Sequence, residues 1–187
     1  MVSFFCSGVD FCVFLWVEEI SMKQSEELNM SDNVRALLGR ARLYCAASEQ
    51  CCGDVRRKLS DWGATTDEAE DIVGLLCEEG YVDDRRYARA YCESKMLRGG
   101  WGCQKVAYHL RMKGVDSETV AEALADVDDE ACNEVLAEIA ERKASELRSA
   151  RTPLEPDVLR RKLTAFLMQR GFRLSEINPV LQNILKR

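Results

Sequence analysis

Apolar positions in this chain recur at the spacing of helix faces, and they do so three times. Val55, Leu59 and Gly63 stand four apart, and Val106, Leu110 and Gly114 repeat them 51 residues later. Leu163, Leu167 and Gly171 repeat them again after a further 57. The match continues past each glycine: Ala69, Ile72 and Val73 align with Val120, Ala123 and Leu124, and then with Ile177, Val180 and Leu181. Residues four apart share one helix face. A glycine four beyond the last of them suits the left-handed residue that closes a helix. Start signals for a next helix follow: Thr65 with Glu68 as a capping box, Asp116 or Ser117, and Ser175. A further amphipathic stretch precedes each pair, near residues 34–48, 84–98 and 129–149. One unit is therefore three helices joined by short turns, and units that cannot bury their own apolar stripe must stack. The predicted fold is all-α: three tandem three-helix repeats, helix-turn-helix-like, in an elongated, curved array. Repeat one is placed at 34–82, repeat two at 83–127 and repeat three at 128–187, with a linker insertion near 149–156.

Residues 1–33 lie outside this periodicity. Phe4, Phe5, Phe11, Phe14, Leu15 and Trp16 make the start apolar, but Asp10 interrupts it and Glu18 and Glu19 follow. That leaves no span of about 20 apolar residues for a membrane and no basic start for a signal peptide. We read the segment as an extension outside the fold, non-native in origin or disordered, with Met22 or Met30 as the natural start in the first case.

Composition narrows the chemistry. Of 187 residues, 47 % are apolar and 31 % charged, which fits a folded soluble chain and not a disordered one. The nine cysteines are odd in number, contain no C-x-x-C pair and mostly fall on helical patterns, as at Cys77, Cys92 and Cys132. They read as free thiols of a cytoplasmic protein. Cys45, Cys51 and Cys52 come closest to a cluster, but a metal there would need ligands from elsewhere, so we read them as small buried apolar residues. No metal and no cofactor is expected. The chain lacks a phosphate loop, an H-E-x-x-H pair and any nucleophile–histidine–acid set, so the reading is non-enzymatic. His109, the single histidine, is expected in a surface or groove position.

Charge is segregated. Net charge is −6, which disfavours non-specific duplex binding. Yet residues 85–113 carry eight bases (Arg85, Arg86, Arg89, Lys95, Arg98, Lys105, Arg111 and Lys113) against Glu93. Residues 158–187 carry seven, including Arg160, Arg161 and Lys162, against Glu176. Residues 115–157 between them hold thirteen acids and four bases. Val106 and Leu110 must face the core, so the bases around them are expected to converge on one solvent-facing, partner-binding surface.

The junction of the first two repeats reads Leu76-Cys77-Glu78-Glu79-Gly80-Tyr81-Val82-Asp83-Asp84-Arg85-Arg86-Tyr87-Ala88. It resembles the signature of the RecX family of bacterial RecA regulators. Arg98-Gly99-Gly100-Trp101-Gly102 and Leu110-Arg111-Met112-Lys113-Gly114-Val115 resemble the family's next blocks, with Trp101 standing where many members carry a lysine-rich turn. The resemblance covers about residues 34–185. It implies a regulator that lodges in the groove of the RecA filament, touching RecA and the single-stranded DNA within it, and that restrains ATP hydrolysis and strand exchange; the chain itself is expected to be a monomer. Within the signature, Gly80 is expected to end a helix, Tyr81 and Val82 to plug the gap between repeats, and Asp83 to cap the next helix. Gly63, Gly114 and Gly171 complete the structural set. Two other classes fit an all-helical chain: a helical DNA-binding protein and a generic cytosolic adaptor. The first is disfavoured because the third helices, starting at Thr66 and Glu118, are acidic.

Removal of residues 1–21 is expected to leave folding intact. A thermal midpoint lowered by more than about 5 °C, which for this chain length exceeds about 1 kcal/mol, would place the segment in the core.

Overall fold

The computed structural model describes residues 31–149 and 154–186. The apolar extension of residues 1–30 and the centre of the expected linker lie outside the described residues. Nine helices form among the described residues, in three sets of three. Repeat one contains α1 (Asp32–Ala47), α2 (Cys52–Asp61) and α3 (Thr66–Glu78). Repeat two contains α4 (Asp84–Glu93), which continues as a π-helical turn (Ser94–Arg98), then α5 (Cys103–Met112) and α6 (Ser117–Ala125). Repeat three contains α7 (Asp129–Arg148), α8 (Pro156–Gln169) and α9 (Leu174–Leu185). No helix among the described residues is long and apolar enough to cross a membrane.

The repeated apolar positions are the core. Val55, Leu59, Val106, Leu110, Leu163 and Leu167 are all fully buried, each contributing about 1.5–3 kcal/mol of burial free energy. Three separate clusters result, one per repeat. Each middle helix closes in the same way. Gly63, Gly114 and Gly171 have φ of 92°, 88° and 92°. The amides of Ala64, Val115 and Phe172 donate to the carbonyls of Leu59, Leu110 and Leu167, which satisfies carbonyls the helix end leaves open. Val115 and Phe172 then fold back into the core.

The next helix starts at one register position in each repeat but with different chemistry. Thr65 forms the capping box with Glu68, and the Asp116 carboxylate accepts from the amides of Glu118 and Thr119. In the third repeat Ser175 is not the cap: it lies inside α9, whose flanking residue is Arg173. The Glu176 carboxylate accepts the Arg173 amide at 2.6 Å instead, so an acid one turn in replaces the missing polar cap.

The family-like junction is partly as expected. Gly80 (φ 75°) ends α3, and Asp83 accepts from the amides of Arg86 and Arg85, which hold its carboxyl below the usual carboxylate range. Val82 is buried in the first core, but Tyr81 is 38 % exposed and lies outside that core. The left-handed turn at Gly80 sends one neighbour outward and the next inward.

Neighbouring repeats join where the start of one middle helix meets the C-terminal turn of the next. The Gly102 and Gln104 amides at the start of α5 donate to the carbonyls of Arg170 and Gly171 at the end of α8, at 2.8 and 3.2 Å. At the start of α2, the Cys51 thiol donates to the Lys113 carbonyl, the Cys52 amide donates to Asp84, and Asp54 pairs with Lys113. Glycine permits both approaches. A Cβ at Gly53 would overlap the Lys113 carbonyl, and one at Gly102 would overlap the Gly171 backbone. The apparent cysteine cluster is dispersed here: Cys45 lies in the first core, Cys51 in the second, and Cys52 faces Cys77.

Two alanine substitutions separate closure from docking. At Gly63, where a Cβ meets open space, only the left-handed backbone resists, and Gly63→Ala should cost about 1–2 kcal/mol. At Gly171 a Cβ would also strike Lys105, so Gly171→Ala should cost more, in denaturant unfolding of the whole chain.

Candidate functional site

The helical period places three residues of each middle helix in one row. These rows are Asp54, Lys58 and Trp62 on α2 and its cap, Lys105, His109 and Lys113 on α5 and its cap, and Lys162, Phe166 and Arg170 on α8 and its cap. The first helices add rows of their own: Arg40 and Tyr44 on α1, Tyr87, Tyr91 and Lys95 on α4 and its π turn, and Lys143 on α7. Side by side, these rows form a strip of cations and aromatic rings.

Contacts run along the strip through all three repeats. In repeat one, Arg40 lies 4.3 Å and Lys58 5.7 Å from the Trp62 ring, and Tyr44 meets that ring edge-on at 6.1 Å. Lys113 joins repeats one and two: it pairs with Asp54 and sits 5.6 Å from the Tyr87 ring. Tyr87 stacks on Tyr91 at 5.8 Å, and Lys95 lies 5.5 Å from both Tyr91 and Trp101. Lys105 covers Trp101 at 4.3 Å, with His109 at 4.9 Å from the same ring. In repeat three, Arg170 and Lys143 lie 5.0 and 5.4 Å from Phe166. Arg170 also donates to the carbonyls of Gly99 and Gly100, closing the second junction.

Each repeat thus holds one ring with two cations within 6 Å of it: Trp62, Trp101 and Phe166. Each such contact is worth about 0.5–1 kcal/mol when exposed. The π turn helps build the middle one. The Gly99 amide reaches back five residues to Ser94, and the Trp101 amide to Lys95, which sets Lys95 beside the indole. The strip concentrates positive charge over half-buried aromatic rings. The Lys113 ammonium is pulled down by burial, but its bonds to Asp54 and Tyr87 more than offset this and hold it above the usual lysine range.

The sequence-chosen cations therefore do not form one surface. Lys95, Lys105 and Lys113 belong to the strip. Arg85 and Arg89 turn toward the acidic α6, pairing with Glu122 at 3.7 Å and Asp126 at 2.9 Å. Arg86 bonds Glu49 at 2.9 Å and the carbonyls of Gly80 and Tyr81. The acidic and basic blocks meet inside repeat two because α4 and α6 pack together, a proximity that linear charge counting cannot register. Arg98 and Arg111 are exposed, and Arg111 and Arg173 both line a cleft between repeats two and three. Arg160, Arg161 and Lys162 are exposed on α8, the first two lining a depression shared with α9. Sequence reasoning missed Trp62, Phe166, Arg40, Lys143 and Arg170 as members of a site. The four-residue spacing of aromatic and basic residues was the available signal.

Two family models match this chain: RecX, second three-helix domain, over residues 83–124, and RecX, third three-helix domain, over residues 129–181. A Regulatory protein RecX of Mycolicibacterium smegmatis is 30 % identical over 122 residues, 65 % of each chain. One of Clostridium tetani is 26 % identical over 168 residues, 90 % of this chain and 76 % of that protein. The chain thus spans just under two thirds of the mycobacterial relative's length. The crystal structure of RecX from Lactobacillus salivarius superposes with a TM-score of 0.73 at 21 % identity, covering 83 % of this chain and 98 % of that one.

Removing the cation between repeats one and two should be costly. Lys113→Ala leaves Asp54, whose side chain is only 12 % exposed, with the exposed Arg57 at 3.2 Å as its remaining ion partner, and should destabilise by about 1–3 kcal/mol. Arg98→Ala on the open surface should stay within about 0.5 kcal/mol. Urea unfolding of both variants checks the contrast.

Proposed function

Because this chain belongs to the RecX family, a family of regulatory proteins, we propose that it binds RecA–single-stranded DNA filaments and mainly inhibits their ATP hydrolysis and strand exchange. The observation that carries this reading is the cation–aromatic strip that continues across both repeat junctions. A filament of recombinase on DNA offers phosphates, bases and carboxylates along a repeating track. A repeating receptor with one cation-flanked ring per unit is matched to such a track, since phosphate attraction gives affinity and rings accept bases of any sequence. The exposed cations Arg98, Arg111, Arg160, Arg161 and Lys162 supply further anion contacts, while Arg85, Arg86 and Arg89 contribute more weakly because each shares its charge with a neighbouring acid. The protein acts by binding, as a cytoplasmic monomer without cofactor or chemistry of its own.

The test is RecA-dependent ATP hydrolysis on single-stranded DNA. Added protein should lower the rate, and Lys95→Glu with Lys105→Glu should weaken that inhibition strongly. Losing two phosphate contacts should also make the salt dependence of filament binding shallower by about one to two units of logarithmic slope. Hydrolysis and strand exchange that stay unchanged at saturating protein would refute the regulatory reading. Equal inhibition by the double variant would move the contact off the strip.

A further inference from the structure

The strip leaves one pair of reactive groups unused. α2 and α3 run antiparallel, so the start of one meets the end of the other, and there the sulfurs of Cys52 and Cys77 lie 3.6 Å apart. Cys77 is exposed on the last turn of α3, and Cys52, the first residue of α2, is half-buried. We propose that Cys52 and Cys77 are a redox-modification site that closes to a disulfide under peroxide and reopens with thiol reductants.

Geometry assigns the roles. The exposed Cys77 meets the oxidant first. Its thiolate attacks one peroxide oxygen, the O–O bond breaks, and hydroxide leaves, giving a sulfenic acid. The Cys52 sulfur then attacks Cys77 and displaces the sulfenic oxygen as water, forming the S–S bond. Two thiols are oxidised by two electrons, and one peroxide is reduced to two waters. Burial, with Asp84 beside it, pushes the Cys52 thiol up, so it stays protonated until Cys77 has reacted. The Asp84 carboxylate, already accepting the Cys52 amide at 2.8 Å, is placed to relay the Cys52 proton to the leaving oxygen, which departs as water. Bond formation needs the sulfurs to close to about 2.0 Å, a side-chain rotation at two helix ends.

The location gives the modification a consequence. The first turn of α2 is where repeat two docks, through Cys51, Cys52 and Asp54. A bond from Cys52 to Cys77 would fasten α3 to that docking turn. This inference does not depend on the filament reading.

The experiment is peptide mapping of the full chain after a small excess of hydrogen peroxide. Trypsin leaves Cys77 alone on peptide 59–85 and Cys45, Cys51 and Cys52 together on peptide 43–56. The expected result is loss of free peptide 59–85 into a species linked to 43–56, with dithiothreitol restoring it. Cleavage after Glu49 separates Cys45 from the other two in the unaltered chain, and fragmentation should place the link on Cys52. Cys52→Ser should abolish the link and leave Cys77 to over-oxidise, while Cys45→Ser and Cys51→Ser should keep it. A link that survives Cys52→Ser, a link placed on Cys45 or Cys51, or peroxide converting Cys77 to an unlinked sulfonic acid would overturn the proposal.

Discussion

The start of each middle helix needs partners for its free amides, and the end of the next middle helix needs partners for its free carbonyls. At the second junction these two needs meet directly, with the amides of Gly102 and Gln104 on the carbonyls of Arg170 and Gly171. At the first, side chains do part of the work: Cys51 on the Lys113 carbonyl, Asp54 on the Lys113 ammonium. Either way the helices meet end to end, positive end to negative end, which is also the favourable order for their dipoles. Backbone approaches this close leave no room for Cβ atoms, so Gly53 and Gly102 stand at the contact. Gly171 serves twice, closing α8 in the left-handed conformation and letting α5 approach.

From this docking the surface follows. Middle helices joined end to end carry their outer rows onward, and each first helix lies alongside. Rings and cations that would be isolated on a single helix become one strip, with Lys113 and Arg170 at the two joins. Within repeat two α6 packs against α4, so the acids at α6 draw Arg85 and Arg89 aside. Exposed pairs of this kind contribute little stability, but they do decide which cations stay available to a partner.

Much of the fold was legible in the sequence, because a helix face is a local property. The spacing of Val55, Leu59 and Gly63 and its two recurrences identify the middle helices, their buried side and their left-handed closing residue. Thr65, Asp83 and Asp116 show their capping role in the chain itself, since a cap acts within three residues. Where a local rule failed, the failure was local too: the third repeat starts α9 after Arg173, using Glu176, and not at Ser175.

The site was only half legible. The sequence by itself determined that bases concentrate in residues 85–113 and 158–187, and it included Lys95, Lys105 and Lys113 among them. Only the tertiary structure decided which bases belong together. Tyr87 meets Lys113, Trp101 meets Lys95 and Lys105, and Asp54 reaches Lys113 across a repeat boundary. Cys52 and Cys77, 25 positions apart, come together in the same way. The physical reason is that periodicity fixes which side of a helix faces inward, while the neighbour on its outer side depends on how the next helix docks.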